Sequence, residues 1–123
     1  KIKLITNARI KNAKYFNKHL KNIKQIKLIN EKKAYKSVFH LYQFFCEKRN
    51  ALNSYLRKYK IDSKVHYPKP LHLHDADKKF KYKKGQFKNA EKLANKVISI
   101  PVHEFITTNQ LNFIIKKIKD FYR

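Results

Sequence analysis

The sequence predicts an α+β domain, a small and mainly antiparallel sheet with helices packed on it. Three observations carry this: an amphipathic opening segment, a strand-like run from Ser37 to Cys46, and a closing helix with its own cap signal. The elements follow the order α-β-β-α-β-α, with neither an internal repeat nor a low-complexity linker.

Ile5, Ala8, Phe16, Leu20 and Ile23 recur at helical spacing among lysines and asparagines, which predicts an amphipathic helix over about residues 3 to 23. Ile26 to Ile29 is a short strand candidate. The run Ser37-Val-Phe-His-Leu-Tyr-Gln-Phe-Phe-Cys46 is rich in β-branched and aromatic residues. Its alternating faces, Phe39, Leu41, Gln43, Phe45 and Val38, His40, Tyr42, Phe44, Cys46, are both mostly apolar, so it predicts a central strand covered on both sides. Leu52, Tyr55, Leu56 and Tyr59 mark a second helix, and a turn at Asp62-Ser63 leads to a short strand into His66 and Tyr67.

Pro68 and Pro70 remove backbone donors and hold the chain extended, so the segment is expected to leave the sheet edge as a stiff arm. Residues 73 to 87 form a lysine-rich surface loop with Gly85, the only glycine. Ala90, Leu93, Ala94 and Val97 predict a short helix, and Ile98 to Val102 an extended piece interrupted by Pro101. Thr107 with Gln110 three residues on is a capping box. Leu111, Ile114, Ile115, Ile118 and Tyr122 supply the buried stripe of the helix that follows.

The 123 residues fit one small domain, too short for a large enzyme carrying its own cofactor domain. The chain contains no methionine and starts on Lys1, which reads as a piece of something longer. Its net charge is +23, yet only Arg9, Arg49, Arg57 and Arg123 are arginines. Scattered lysine is solvated surface, whereas a reader of nucleic acid favours arginine forks gathered in one stripe. Nucleic acid is therefore not the expected partner. Cys46 stands alone, which excludes an intramolecular disulfide and fits a reducing cytoplasm. No apolar run approaches the roughly 20 residues that span a bilayer.

The run Val65-His66-Tyr67-Pro68-Lys69-Pro70-Leu71-His72 is the candidate site. Histidine and tyrosine both donate and accept hydrogen bonds, so His66, Tyr67 and His72 suit sugar hydroxyls or proton transfer near neutral pH. On residue types alone, Tyr67 as a core aromatic and the histidines as polar turn residues remain an alternative. His72-x-His74-Asp75-x-Asp77 offers metal-ligand types, but it runs into a flexible loop without a rigid second shell, so no metal site is assigned. His40 reads as a hydrogen-bonded core residue and Cys46 as a small buried apolar one. A glycine-rich phosphate loop and a carboxylate pair on one helical face are both missing, so the chain carries no complete catalytic machine.

Arg49-Asn-Ala-Leu52, the His66 to His72 run, Ala90-Glu91-Lys-Leu93-Ala94, Ile98-Ser99-Ile100-Pro101-Val102-His103 and the terminal Phe121-Tyr122 follow in that order. Together they resemble the carboxyl-terminal part of the DegT/DnrJ/StrS family of sugar aminotransferases, over essentially the whole chain and about the last third of a family member. The resemblance implies the small domain of a fold-type-I enzyme that uses pyridoxal phosphate to move an amino group, with glutamate the usual donor, onto a nucleotide-linked keto-sugar. It implies that the cofactor, its Schiff-base lysine and the acidic partner of its ring belong to a large amino-terminal domain absent here, so no lysine of this chain takes that role. Residues 1 to 123 alone are then expected to bind no cofactor and to be inactive. His66, Tyr67 and His72 become substrate-binding residues, His103 a structural one, and the protein a cytoplasmic homodimer serving amino-sugar and cell-surface polysaccharide synthesis, without membrane or nucleic-acid partners. The segment His74 to Lys84 departs from the family in its lysines, so sugar contacts do not carry over to it. A lysine-rich nucleic-acid-binding module and a non-catalytic truncated remnant remain the alternatives.

Overall fold

The computed structural model describes residues 1–29, 31 and 34–123, with the side chains of Asp77 and Lys78 excepted. Four α-helices and a three-stranded antiparallel sheet account for the regular structure. They are α1 (Ile2–Leu20), β1 (Ile26–Leu28), β2 (Tyr42–Cys46), α2 (Arg49–Lys58), α3 (Lys88–Lys96), β3 (Val97–Ile100) and α4 (Thr108–Phe121). Two short 3-10 turns are added: Leu71–Leu73 closes the end of the arm expected to be extended, and Asp75–Phe80 lies in the loop expected over residues 73 to 87.

The strand order is β1-β2-β3, so β2 is central as its composition predicts. Phe44 pairs with Leu28 on one side and Ile98 on the other, and Tyr42 with Ile100. Because directly paired residues project to the same face, Tyr42, Phe44, Cys46, Ile98 and Ile100 form one apolar surface. It is buried together with Phe16 and Leu20 of α1, Leu52 and Leu56 of α2, and Ile114 and Ile118 of α4. The opposite face carries Lys27, Gln43, Phe45, Val97 and Ser99, with α3 packed against β2 there. One face therefore makes the core, and the other makes the site.

The strand expected over residues 37 to 46 is half as long. Phe39 sits at φ 48°, in the left-handed region that breaks an extended strand, and the Ser37 hydroxyl accepts its amide. His40 is consequently exposed at a bend instead of buried in the sheet. The strand expected into His66 and Tyr67 is reduced to one bridge, in which Lys64 and Ser99 exchange both backbone hydrogen bonds at 3.0 and 2.8 Å. β3 is the third strand, which moves it past α3 in chain order. The opening helix stops at Leu20, and Ile23 falls in the following turn.

The capping box of α4 forms as the sequence predicts: the Gln110 amide donates to Thr107 Oγ1 at 3.3 Å and the Thr107 amide to Gln110 Oε1 at 2.9 Å. Leu111, Ile114, Ile115 and Ile118 are buried, while Tyr122 is half-buried and donates its hydroxyl to the Glu47 carbonyl at 2.7 Å. Burial pushes both that hydroxyl and the one of Tyr42 far up, so both stay protonated donors. Cys46 is buried, as expected. Among the described residues no helix is long and apolar enough to cross a membrane.

Candidate functional site: a cavity under the His-Tyr-Pro arm

The apolar stripe of α3 is not spent on the core. Only Ala94 of this helix is buried, and Leu93 is 48% exposed. Ala90, Leu93 and Ala94 instead line a cavity of about 760 Å³, closed on one side by Gln43, Phe45 and Val97 of the sheet and on another by residues 66 to 74 of the arm. Its size falls in the ordinary range of small-molecule sites, about 300–1,000 Å³.

Hydrogen bonds to the sheet fix the arm at its root. Gln43 Nε2 donates to the His66 carbonyl at 3.2 Å and to Ser99 Oγ at 3.1 Å, and His66 Nδ1 lies 3.0 Å from that same hydroxyl. With Nδ1 engaged by Ser99, Nε2 is the ring's other polar atom. Tyr67 is 75% exposed, its ring edge-on to that of His66. Tyr67 is therefore no core aromatic: its polar tip is available at the cavity.

A second anchor holds the far end. His72 Nε2 lies 3.1 Å from Glu91 Oε1 of α3, with side chains only 8% and 14% exposed. A carboxylate only accepts, so Nε2 carries the proton in this pair. Glu91 Oε1 also accepts the Gly85 amide at 2.7 Å. That backbone hydrogen bond, and then His72, hold the Glu91 carboxyl below the usual carboxylate range. Gly85 sits at φ 95°, where an L side chain is strained, so the only glycine is the residue that can turn its amide onto Glu91 here. Phe87 packs on the His72 ring at 4.7 Å between centroids.

The candidate residues thus separate by environment. His66 and Tyr67 stand at the cavity, and His72 lines it while bound to Glu91. His74 turns back to the Lys69 carbonyl at 3.1 Å, away from His72's partner. Among the described residues no group of three histidine, cysteine or acidic side chains could hold a metal, and the Asp77 side chain of the metal-like run lies outside them. His103 is exposed, and its backbone carbonyl, not its ring, does the positioning by accepting Asn12 Nδ2 at 2.9 Å. Gln43, Ser99 and Glu91, which hold the arm, are not among the site residues that the sequence predicts. The available signal is a polar residue within an apolar strand, half-buried at Gln43 and buried at Ser99.

The model of the DegT/DnrJ/EryC1/StrS aminotransferase family matches residues 1–119. The chain belongs to that family. It is 37% identical over 86 residues to the pleiotropic regulatory protein of Geobacillus stearothermophilus, covering 70% of this chain and 23% of that one. It is 31% identical over 84 residues to the dTDP-3-amino-3,4,6-trideoxy-α-D-glucose transaminase of Streptomyces venezuelae, covering 68% of this chain and 22% of that one. Among solved structures, S. venezuelae DesV in complex with a ketimine intermediate superposes with a TM-score of 0.92 at 26% identity, over 97% of this chain and 32% of DesV. A family aminotransferase from Brucella abortus gives 0.86 at 28% identity, over 96% and 31%. The chain therefore spans between about a quarter and a third of the length of these relatives.

The family is in general dependent on pyridoxal phosphate. A seat for it needs a lysine for the aldehyde and a carboxylate for the ring nitrogen. At this cavity the single lysine, Lys69, is on the exposed arm, and the nearby carboxylate, Glu91, is engaged by His72 and Gly85. The lining of this cavity does not by itself fit the cofactor.

Proposed function

We propose that this chain is the carboxyl-terminal small domain of a pyridoxal-phosphate-dependent aminotransferase that aminates a nucleotide-linked keto-sugar, with glutamate as amino donor. The observation that carries the reading is the cavity under the arm, where Tyr67 and His66 present a hydroxyl and an imidazole beside the apolar wall of Phe45, Leu93 and Ala94. A sugar ring has both surfaces: apolar C–H faces for the wall and hydroxyls for the polar tips.

In this reading the large domain supplies the cofactor lysine and the acidic residue that partners the ring. This chain closes the substrate side: Tyr67 and His66 contact the sugar, and His72, locked to Glu91, holds the wall they stand on. The whole protein works as a cytoplasmic homodimer, and residues 1–123 alone are inactive.

The test is transamination by the complete gene product, loaded with pyridoxal phosphate and offered glutamate with a panel of nucleotide-linked keto-sugars. Amination of one of them, with none from residues 1–123 alone, supports the reading. Turnover by the isolated 123 residues, or amination of plain 2-oxo acids only, sinks it.

A further inference from the structure

Three residues from three parts of the fold meet at the root of the arm: Gln43 from β2, Ser99 from β3 and His66 from the arm itself. Gln43 Nε2 stands 3.2 Å from the His66 carbonyl and 3.1 Å from Ser99 Oγ, and Ser99 Oγ stands 3.0 Å from His66 Nδ1. These three contacts decide where each proton sits.

A backbone carbonyl only accepts, so the end of the Gln43 amide that meets it is the NH2 group. Its two hydrogens go one to that carbonyl and one to Ser99 Oγ, which makes Ser99 an acceptor toward Gln43. Ser99 is only 4% exposed, so its own hydroxyl proton also needs an acceptor, because a buried donor left unpaired is costly. Among the described residues the one other partner of Ser99 Oγ is His66 Nδ1. The hydroxyl thus donates to Nδ1, Nδ1 accepts through its lone pair, and in the neutral ring the proton is on Nε2. The opposite arrangement, with Nδ1–H donating to Ser99, would give the hydroxyl two donors and strand its proton. Among the described residues Nε2 has no hydrogen-bond partner, and the ring lines the cavity under the arm.

We propose that Gln43 and Ser99 are positioning residues that fix His66 as the Nε2–H tautomer, and that His66 serves the substrate as a hydrogen-bond donor to an oxygen, not as the base that takes its proton. The tautomer rests on the contacts alone, whereas the sugar as the donor's target rests on the aminotransferase reading above. A fixed N–H favours a hydroxyl, ring or carbonyl oxygen and disfavours an ammonium group, which has donors only. Ser99 is not in the lining of the cavity, so its effect on the substrate passes through His66.

The experiment takes the complete gene product with isotopically labelled histidine and reads the His66 tautomer by NMR from its ring carbon and nitrogen shifts, the signal being assigned by its absence in H66N. The Nε2–H form is expected in the wild type and in S99T, which keeps the hydroxyl. Q43E replaces the amide donor by a carboxylate acceptor, so Ser99 should turn its proton to the new carboxylate and accept from Nδ1, moving the His66 proton from Nε2 to Nδ1. In transfer from glutamate to the nucleotide-linked keto-sugar, S99A is expected to raise KM for the sugar roughly threefold to tenfold, the worth of one hydrogen bond. Its kcat and its KM for glutamate should stay within about twofold of wild type, and S99T should restore the sugar KM. A wild-type ring protonated at Nδ1 overturns the proposal whatever the substrate, as does a folded Q43E protein whose ring stays protonated only at Nε2; if Q43E fails to fold, the wild-type spectrum decides alone. A fall in kcat at unchanged sugar KM in S99A would make His66 a base and overturn it as well. Failure of the complete protein to aminate any keto-sugar sinks the aminotransferase reading and the sugar's part with it, while the spectrum still decides the tautomer.

Discussion

His72 Nε2 and Glu91 Oε1 stand 3.1 Å apart across 19 residues of sequence, and this pair joins the far end of the arm to α3. The arm is thus held at both ends, at its root by Ser99 and Gln43 and at its tip by Glu91. Prolines alone would make it stiff but not placed.

Acid should release the tip first. The Glu91 carboxyl is held below its ordinary value by the Gly85 amide and then by His72. Its contribution to stability is therefore present above the unfolded value, near 4.3, and is lost as pH falls through the lower folded value. The protection of amides in residues 71 to 87, taken relative to their intrinsic exchange rates at each pH, is expected to fall as pH drops below about 4, and E91Q to remove that acid step while lowering protection already at neutral pH.

The root depends on one hydroxyl. Ser99 is 4% exposed and its Oγ serves both Gln43 and His66. S99A leaves both groups short of a partner and is expected to cost about 1–3 kcal/mol, measured by urea unfolding. A loss within about 0.5 kcal/mol, the usual range for a surface substitution, would show that the hub holds nothing.

Thr107 and Gln110 act as a unit at the start of α4. T107A is expected to cost about 1 kcal/mol. Because the two residues exchange hydrogen bonds, the losses of T107A and Q110A should fall short of additivity in the double variant, measured as a thermodynamic cycle.

Core and cavity residues should respond in opposite ways. Phe44 is fully buried between the sheet and the helices, so F44A is expected to cost about 3–5 kcal/mol. Leu71 on the arm is 81% exposed, and L71A should change stability by less than about 0.5 kcal/mol. Paired thermal and urea denaturation checks both.

The helices were legible because their signals are local: the Thr107–Gln110 box and the 3.6-residue stripe of α4 hold wherever the helix packs. β2 was legible in position but not in length. Composition shows that Val38 to Leu41 could form strand, whereas only the fold shows that Phe39 turns into the left-handed region and puts His40 outside. For the site, the arm was visible as an unusual run of histidine, tyrosine and proline. Its supports were not, because Gln43, Ser99 and Glu91 come from three elements that only tertiary packing brings together. Leu93 shows the same limit: its helical spacing predicts burial, yet it faces a cavity instead of the core.

The central claim is that the arm is the sugar-facing wall of an aminotransferase. The direct test compares the complete gene product with its Y67F variant in pyridoxal-phosphate-dependent transfer from glutamate to a nucleotide-linked keto-sugar, with KM for the sugar and for glutamate measured separately. The account predicts a higher KM for the sugar, with KM for glutamate and the unfolding midpoint unchanged, since the exposed Tyr67 hydroxyl supports no part of the core. An unchanged sugar KM in a fully active enzyme would contradict it.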